Sequence, residues 1–87
     1  MTTISTILAS GTTDDESSDI TVDAGSIVTL SLLGSGKLIL QTKTSAGYTS
    51  QCVISPFRPG YQLLGPVTFR VVRRDALAAC GCSMEAE

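Results

Sequence analysis

Histidine, tryptophan and asparagine do not occur in this 87-residue chain. Without histidine, the usual general base near neutral pH is missing, and serine–histidine or cysteine–histidine nucleophile pairs cannot form. Aromatic rings are scarce: two Tyr and two Phe, dispersed at Tyr48, Phe57, Tyr61 and Phe69. That dispersal leaves no stacking platform for single-stranded nucleic acid and no ring-lined floor of the kind many small-ligand sites have. No apolar run approaches the ~18 residues of a membrane span. Carboxylates cluster only in one polar stretch, where nothing fixes their separation or raises a pKa for acid–base work. These absences point to a non-enzymatic protein with no cofactor, no metal, no nucleic-acid partner and no membrane partner.

The chain is 43% hydrophobic and 16% charged, a globular composition for one small domain. At this length folding buries only roughly 60–65% of the surface that the unfolded chain exposes, so docking or oligomerisation is a natural supplement to stability. Ser and Thr are abundant, while strong helix formers are sparse before residue 75, a bias toward strands joined by small-residue turns.

The three cysteines are Cys52, Cys80 and Cys82. Met1-Thr2-Thr3 lacks the basic start of a secretory signal. An odd count without such a signal is the pattern of free thiols in a reducing compartment rather than of a disulfide framework.

Charge is segregated along the chain. From Met1 to Gly36 the charged residues are Asp14, Asp15, Glu16, Asp19 and Asp23; from Lys37 to Arg74 they are Lys37, Lys43, Arg58, Arg70, Arg73 and Arg74; Asp75, Glu85 and Glu87 follow. One explanation is a set of solvated loops. The other is complementarity, with Asp14, Asp15 and Glu16 facing Arg58, Arg70, Arg73 and Arg74 either within the chain or across to another subunit. These seven residues are the candidate partner-binding set. A pI near 4.8 directs the arginines toward protein carboxylates rather than phosphates.

The clearest structural signal is Leu63 to Arg74. After the turn dipeptide Gly65-Pro66, Val67, Phe69 and Val71 alternate with Thr68 and Arg70, the period of a half-buried strand. Val28, Leu30 and Leu32 alternate likewise, Gly34-Ser35-Gly36 supplies a hairpin connection, and Leu38 and Leu40 mark the return strand. With shorter runs at Thr2–Ala9, Ile20–Val22, Tyr48–Ser55 and Tyr61–Leu64, this predicts about seven short strands. The fold class is all-β, a small antiparallel β-sandwich or partly open barrel. Residues 1–10 form a first strand or extended N-terminal arm, 11–79 the sandwich, and 80–87 a frayed C-terminal tail. One helical turn is expected at Ala76–Cys80. The expected core is Val28, Leu30, Leu32, Leu38, Leu40, Ile54, Leu63, Phe69 and Val71.

Three ligand motifs fail on spacing. Gly34-Ser35-Gly36-Lys37 resembles the end of a phosphate loop, but Ser31 stands where its first Gly belongs and Leu38 where Ser or Thr belongs. The acidic stretch around Asp14 to Asp23 lacks the alternating ligands and the Gly of a calcium loop. Cys52, Cys80 and Cys82 are one ligand short of a structural zinc site.

Two segments resemble small virion proteins of tailed bacteriophages. One is Asp19-Ile-Thr-Val-Asp-Ala-Gly-Ser-Ile-Val-Thr-Leu-Ser-Leu. The other is Tyr61-Gln-Leu-Leu-Gly-Pro-Val-Thr-Phe-Arg-Val-Val-Arg-Arg, similar to the Gly-Pro-Gly-Thr-Tyr-Arg-Val-Arg-Arg endings of such proteins, with Val67 in place of the second Gly and Phe69 in place of Tyr. The resemblance spans about a third of the chain. It implies a capsid decoration or cement protein on the virion surface, assembled in the host cytoplasm, bound to the major capsid protein and homo-oligomeric as a dimer or trimer. Its N-terminal strand would add to a neighbour's sheet edge. The competing expectation is a phage fibre or tail module, or another small β module that binds carbohydrate or peptide.

Overall fold

A computed structural model describes residues 3–74 and 76–86. Met1 and Thr2 of the expected arm, and Asp75 and Glu87 of the expected acidic tail, lie outside the described residues. Among the described residues nine strands run in chain order: β1 (Thr3–Gly11), β2 (Asp15–Glu16), β3 (Ile20–Val22), β4 (Ile27–Gly34), β5 (Leu38–Thr44), β6 (Gly47–Ile54), β7 (Gly60–Leu64), β8 (Val67–Arg73) and β9 (Cys80–Ala86). All pair antiparallel, in two sheets. One sheet has the order β1-β9-β4-β7; the other has β2-β8-β5-β6, with β3 also paired to β8. The protein is a β-sandwich, closed by packing of the two sheets rather than by a barrel seam.

The alternating residues of β4, β5 and β8 meet between the sheets. Leu30, Leu38, Leu40, Ile54, Phe69 and Val71 are fully buried, and Val28 and Leu63 nearly so. Leu32, expected among them, is half-buried and packs against this cluster. Sequence alternation therefore became a core because each strand presents one face to the opposite sheet.

A strand beyond the expected seven changes the account of the chain's C-terminal end. Cys80 to Ala86 is no frayed tail: β9 lies between β1 and β4 in the middle of the four-stranded sheet. Cys80, Cys82 and Met84 alternate inward with Gly81, Ser83 and Glu85, and Cys80 and Cys82 fill the core as small hydrophobes. Gly81 runs so close to the backbone of Leu8 and Ser10 that a Cβ there would collide with it. The expected helical turn is absent; Ala76 to Ala79 is an irregular connection. The N-terminal segment takes the strand alternative: β1 pairs with β9 from Thr3 to Gly11. The other edge of β1 is outermost, and register shifts around Leu8 in the β1–β9 pairing make the strand irregular, which blunts an edge against uncontrolled pairing.

The acidic stretch is the other correction. Asp15 and Glu16 form a two-residue strand on β8, opposite Arg73 and Val72. Ser17 holds the gap between β2 and β3: its N–H donates to the Val71 carbonyl at 2.9 Å, and its Oγ accepts from the Val71 N–H at 2.9 Å. A buried hydroxyl thus replaces a missing ladder partner and keeps the β8 backbone satisfied.

All three cysteines are free. Burial pushes the Cys82 thiol up to about 11 and also raises that of Cys52, so the reactive thiolate is suppressed at both. Among the described residues no three His, Cys, Asp or Glu side chains gather as a metal site would require, and none lies in a helix long and apolar enough to cross a membrane.

Candidate functional site

The seven residues singled out from the sequence separate into different roles. Arg73 is structural. Val67, Phe69, Val71 and Arg73 share one face of β8, so the alternation that turns the first three toward the core turns Arg73 inward as well, and it is only 3% exposed. Its Nε donates to the Thr13 carbonyl at 2.6 Å, and its Nη1 donates to the carbonyls of Ala9 at 2.7 Å and Cys80 at 2.6 Å. One guanidinium from the five-stranded sheet therefore ties down β1 and β9 of the other sheet. The planar fork with several donors suits Arg, and Lys would not reproduce it.

Arg70 and Arg74 point the other way, to the outer face of the five-stranded sheet. Both reach the same oxygen of Glu16: Arg70 at 2.7 Å and Arg74 at 3.5 Å. Arg74 also donates to the carbonyls of Asp15 and Arg73. The segregated charges thus meet within one molecule, because β2 carries the acidic stretch directly onto β8. Asp15 contributes its backbone to this contact, and its carboxylate caps the Glu16 N–H at 2.8 Å. Asp14 lies exposed just before β2. Arg58 sits on the turn between β6 and β7, where its backbone bridges to Ser55, and it takes no part in the ion pairs found among the described residues.

The structure adds residues that charge alone did not single out. The Arg70 guanidinium stacks 3.6 Å from the centre of the Tyr48 ring, and its Nε donates to Gln41 Oε1 at 2.9 Å. The Tyr48 hydroxyl donates to Asp19 at 2.7 Å, and Lys43 pairs with the other Asp19 oxygen at 3.2 Å. The hydrogen bond from Tyr48, with help from Lys43, holds the Asp19 carboxyl below its ordinary value. The same bond raises the Tyr48 phenol. Glu16, Arg70, Gln41, Tyr48, Asp19 and Lys43 are a single cross-braced cluster drawn from β2, β8, β5, β6 and the residue preceding β3. Strand pairing supplies the proximity: Gln41 stands opposite Arg70, and Lys43 opposite Tyr48. The signal available in sequence was period 2 alone, which places Arg70 on the outer face but cannot say which strand lies beside it.

At one end of this face Arg74 borders a second feature. The turn Ser35–Lys37, the loop Ser55–Phe57 and the connection Ala76–Ala78 line a hollow of about 390 Å³, and Lys37, Ile39, Val53 and Arg74 line a smaller one of about 270 Å³. Gly34 and Gly36 make the first possible. Gly34 has φ +83°, and a Cβ at either position would collide with the backbone or side chains of Ala78–Cys80.

In this cluster the Arg70 guanidinium lies on a Tyr ring and is bonded to Glu16 and Gln41. Comparison of the sequence and fold with protein-family models, with curated proteins and with solved structures finds no match.

Proposed function

We propose that the protein is a non-enzymatic virion structural protein, a capsid decoration or cement module. It docks the outer face of its five-stranded sheet on the lattice of a major capsid protein and stabilises the head. The observation that carries this reading is the fixed Arg70 side chain, clamped by Glu16, Gln41 and the Tyr48 ring. Long side chains usually lose rotamer freedom on binding, at roughly 0.5–1.5 kcal/mol each. Here that ordering belongs to the fold, so a partner meets a surface already in its bound form.

The viral setting comes from the sequence resemblance in Asp19–Leu32 and Tyr61–Arg74, and the physics suits it. A small core gains stability by mass action from a lattice that binds only its folded state. The test is co-sedimentation with capsids assembled from the major capsid protein of the same genome, with light scattering on the free protein. The reading predicts saturable occupancy that falls at least about tenfold in affinity with Arg70→Ala. A protein that ignores capsids but binds a glycan would overturn it in favour of a fibre or ligand-binding module.

A further inference from the structure

We propose that β6 is a self-pairing edge: two copies of the protein join β6 to β6, antiparallel about a two-fold axis, and merge their five-stranded sheets into one. Among the described residues β6 pairs with β5 alone, so its other edge is open. The remaining open edges are guarded. β7 is five residues long, with Pro59 just before it and Pro66 two positions after it. β1 is interrupted by two register shifts, and the margin formed by β2 and β3 is short and carries Asp15, Glu16 and Asp19. Short strands, prolines, bulges and charges keep an edge from pairing. β6 runs for eight residues, Gly-Tyr-Thr-Ser-Gln-Cys-Val-Ile, with no proline and no charge to repel a second copy.

The one register shift in β6 makes the strand self-complementary. Tyr48 stands opposite Lys43, and Val53 opposite Ile39. Lys43 and Ile39 are four residues apart on β5 and share a face. Tyr48 and Val53 therefore share the outer face although they are five apart, because the extra residue Gln51 falls between them. Laid antiparallel on itself, the stretch from Tyr48 to Val53 sets Tyr48 of each copy opposite Val53 of the other, Thr49 opposite Cys52, and Ser50 opposite Gln51. An unfinished apolar row receives the ring. Val72, Ile39 and Val53 lie side by side across β8, β5 and β6, from Val72, 3% exposed, to Val53, 49% exposed at the edge. Tyr48 of the second copy continues that row, and an aromatic ring beside a β-branched side chain is a favourable cross-strand pair. Any extended strand offers backbone bonds to an edge. The order Tyr48, Ser50, Gln51 and Val53, apolar at both ends and polar between, matches its own reverse and so favours a second copy. Matching faces put both outer surfaces on one side, with the two Tyr48–Arg70 clusters next to each other.

The pairing does not depend on capsid binding. A monomer that binds capsids would overturn the pairing alone, and a dimer that ignores them would overturn the capsid reading alone. The test is sedimentation equilibrium of the full-length protein from about 10 μM to 1 mM, with an isotope-filtered nuclear Overhauser measurement on mixed ¹³C-labelled and unlabelled copies. The expected result is a monomer–dimer equilibrium with a contact between copies from the Tyr48 ring to the Val53 methyl groups. Ser50→Lys, at an exposed position, brings two like charges to the middle of the pairing and should weaken dimerisation at least about tenfold. Ser50→Thr, and Gln62→Lys on the β7 edge, should leave it unchanged. The amide spectrum of each variant checks that it is folded, and the contact between copies is read on the unaltered protein and needs no variant. Four outcomes would overturn the proposal: a monomer throughout the range, an assembly other than a dimer, no Tyr48–Val53 contact between copies, or a dimer that Ser50→Lys leaves intact or Gln62→Lys weakens equally.

Discussion

The two outer faces of the sandwich are built on the same alternation and differ in almost every other respect. On the four-stranded sheet, Thr29 stands opposite Gln62 and Glu85, and Ser31 opposite Ser83. Hydroxyls share that face with the exposed apolar side chains of Ile4, Ile27 and Leu64, Glu85 is the charge among these residues, and one long polar contact, Gln62 to Thr29 at 3.5 Å, crosses between strands. On the five-stranded sheet, the corresponding positions carry Glu16, Arg70, Gln41, Lys43 and Tyr48, linked to one another and to Asp19 by hydrogen bonds and ion pairs of 2.7–3.2 Å and by the Arg70–Tyr48 stack at 3.6 Å. Short hydroxyl side chains keep a strand surface hydrated at little entropic cost. Long side chains held in one geometry are a costlier arrangement, and exposed ion pairs return little stability for it. Under the function proposed above, the five-stranded face, with its pre-ordered cluster, is the contact surface.

The largest disruptions should come from residues that serve both faces. Phe69→Ala should destabilise by roughly 3–5 kcal/mol, and Arg73→Leu by about 3 kcal/mol or more, since the carbonyls of Ala9, Thr13 and Cys80 lose their donor. Urea unfolding measures both. If Arg73→Leu left the midpoint unchanged, Arg73 would not tie the sheets together. A smaller loss of about 1–2 kcal/mol is expected for Ser17→Ala, which strips the Val71 N–H of its acceptor.

This ranking also shows what could be read before the structure. The alternation of β4, β5 and β8 made the core legible, because each strand buries one complete face. The same alternation, continued two residues past Val71, already placed Arg73 inside; the residue type, so rarely buried, concealed it. Cys80 to Ala86 was not legible as a strand because two of its inward side chains are Cys, which a hydrophobic pattern underweights. β2 is two residues long and depends on the Ser17 side chain, so no period was present to find. The Arg70 cluster needed strand order, which no local pattern encodes.

Within the prepared face, Tyr48→Phe should shift the melting temperature by no more than about 2 °C, since an exposed hydroxyl alone is lost. Its signature lies in titration. The Asp19 carboxyl is depressed by the bond from Tyr48, so its contribution is present above the ordinary carboxylate range, about pH 4, and is lost as pH falls through the lower folded value. The Tyr48 phenol is raised by the same bond, so its contribution is present below about pH 10 and is lost as pH rises through the higher folded value. Tyr48→Phe should move the Asp19 titration back toward the ordinary range, as read from its carboxyl resonance. An unmoved titration would mean that the Tyr48–Asp19 bond is not made in solution.

The central claim is that recognition belongs to one face. It is tested most directly by measuring capsid occupancy for Arg70→Gln and Ser31→Gln side by side at equal folded stability. The account predicts that Arg70→Gln loses at least about tenfold in affinity while Ser31→Gln binds as the unaltered protein does. Equal losses, or loss confined to Ser31→Gln, would contradict it.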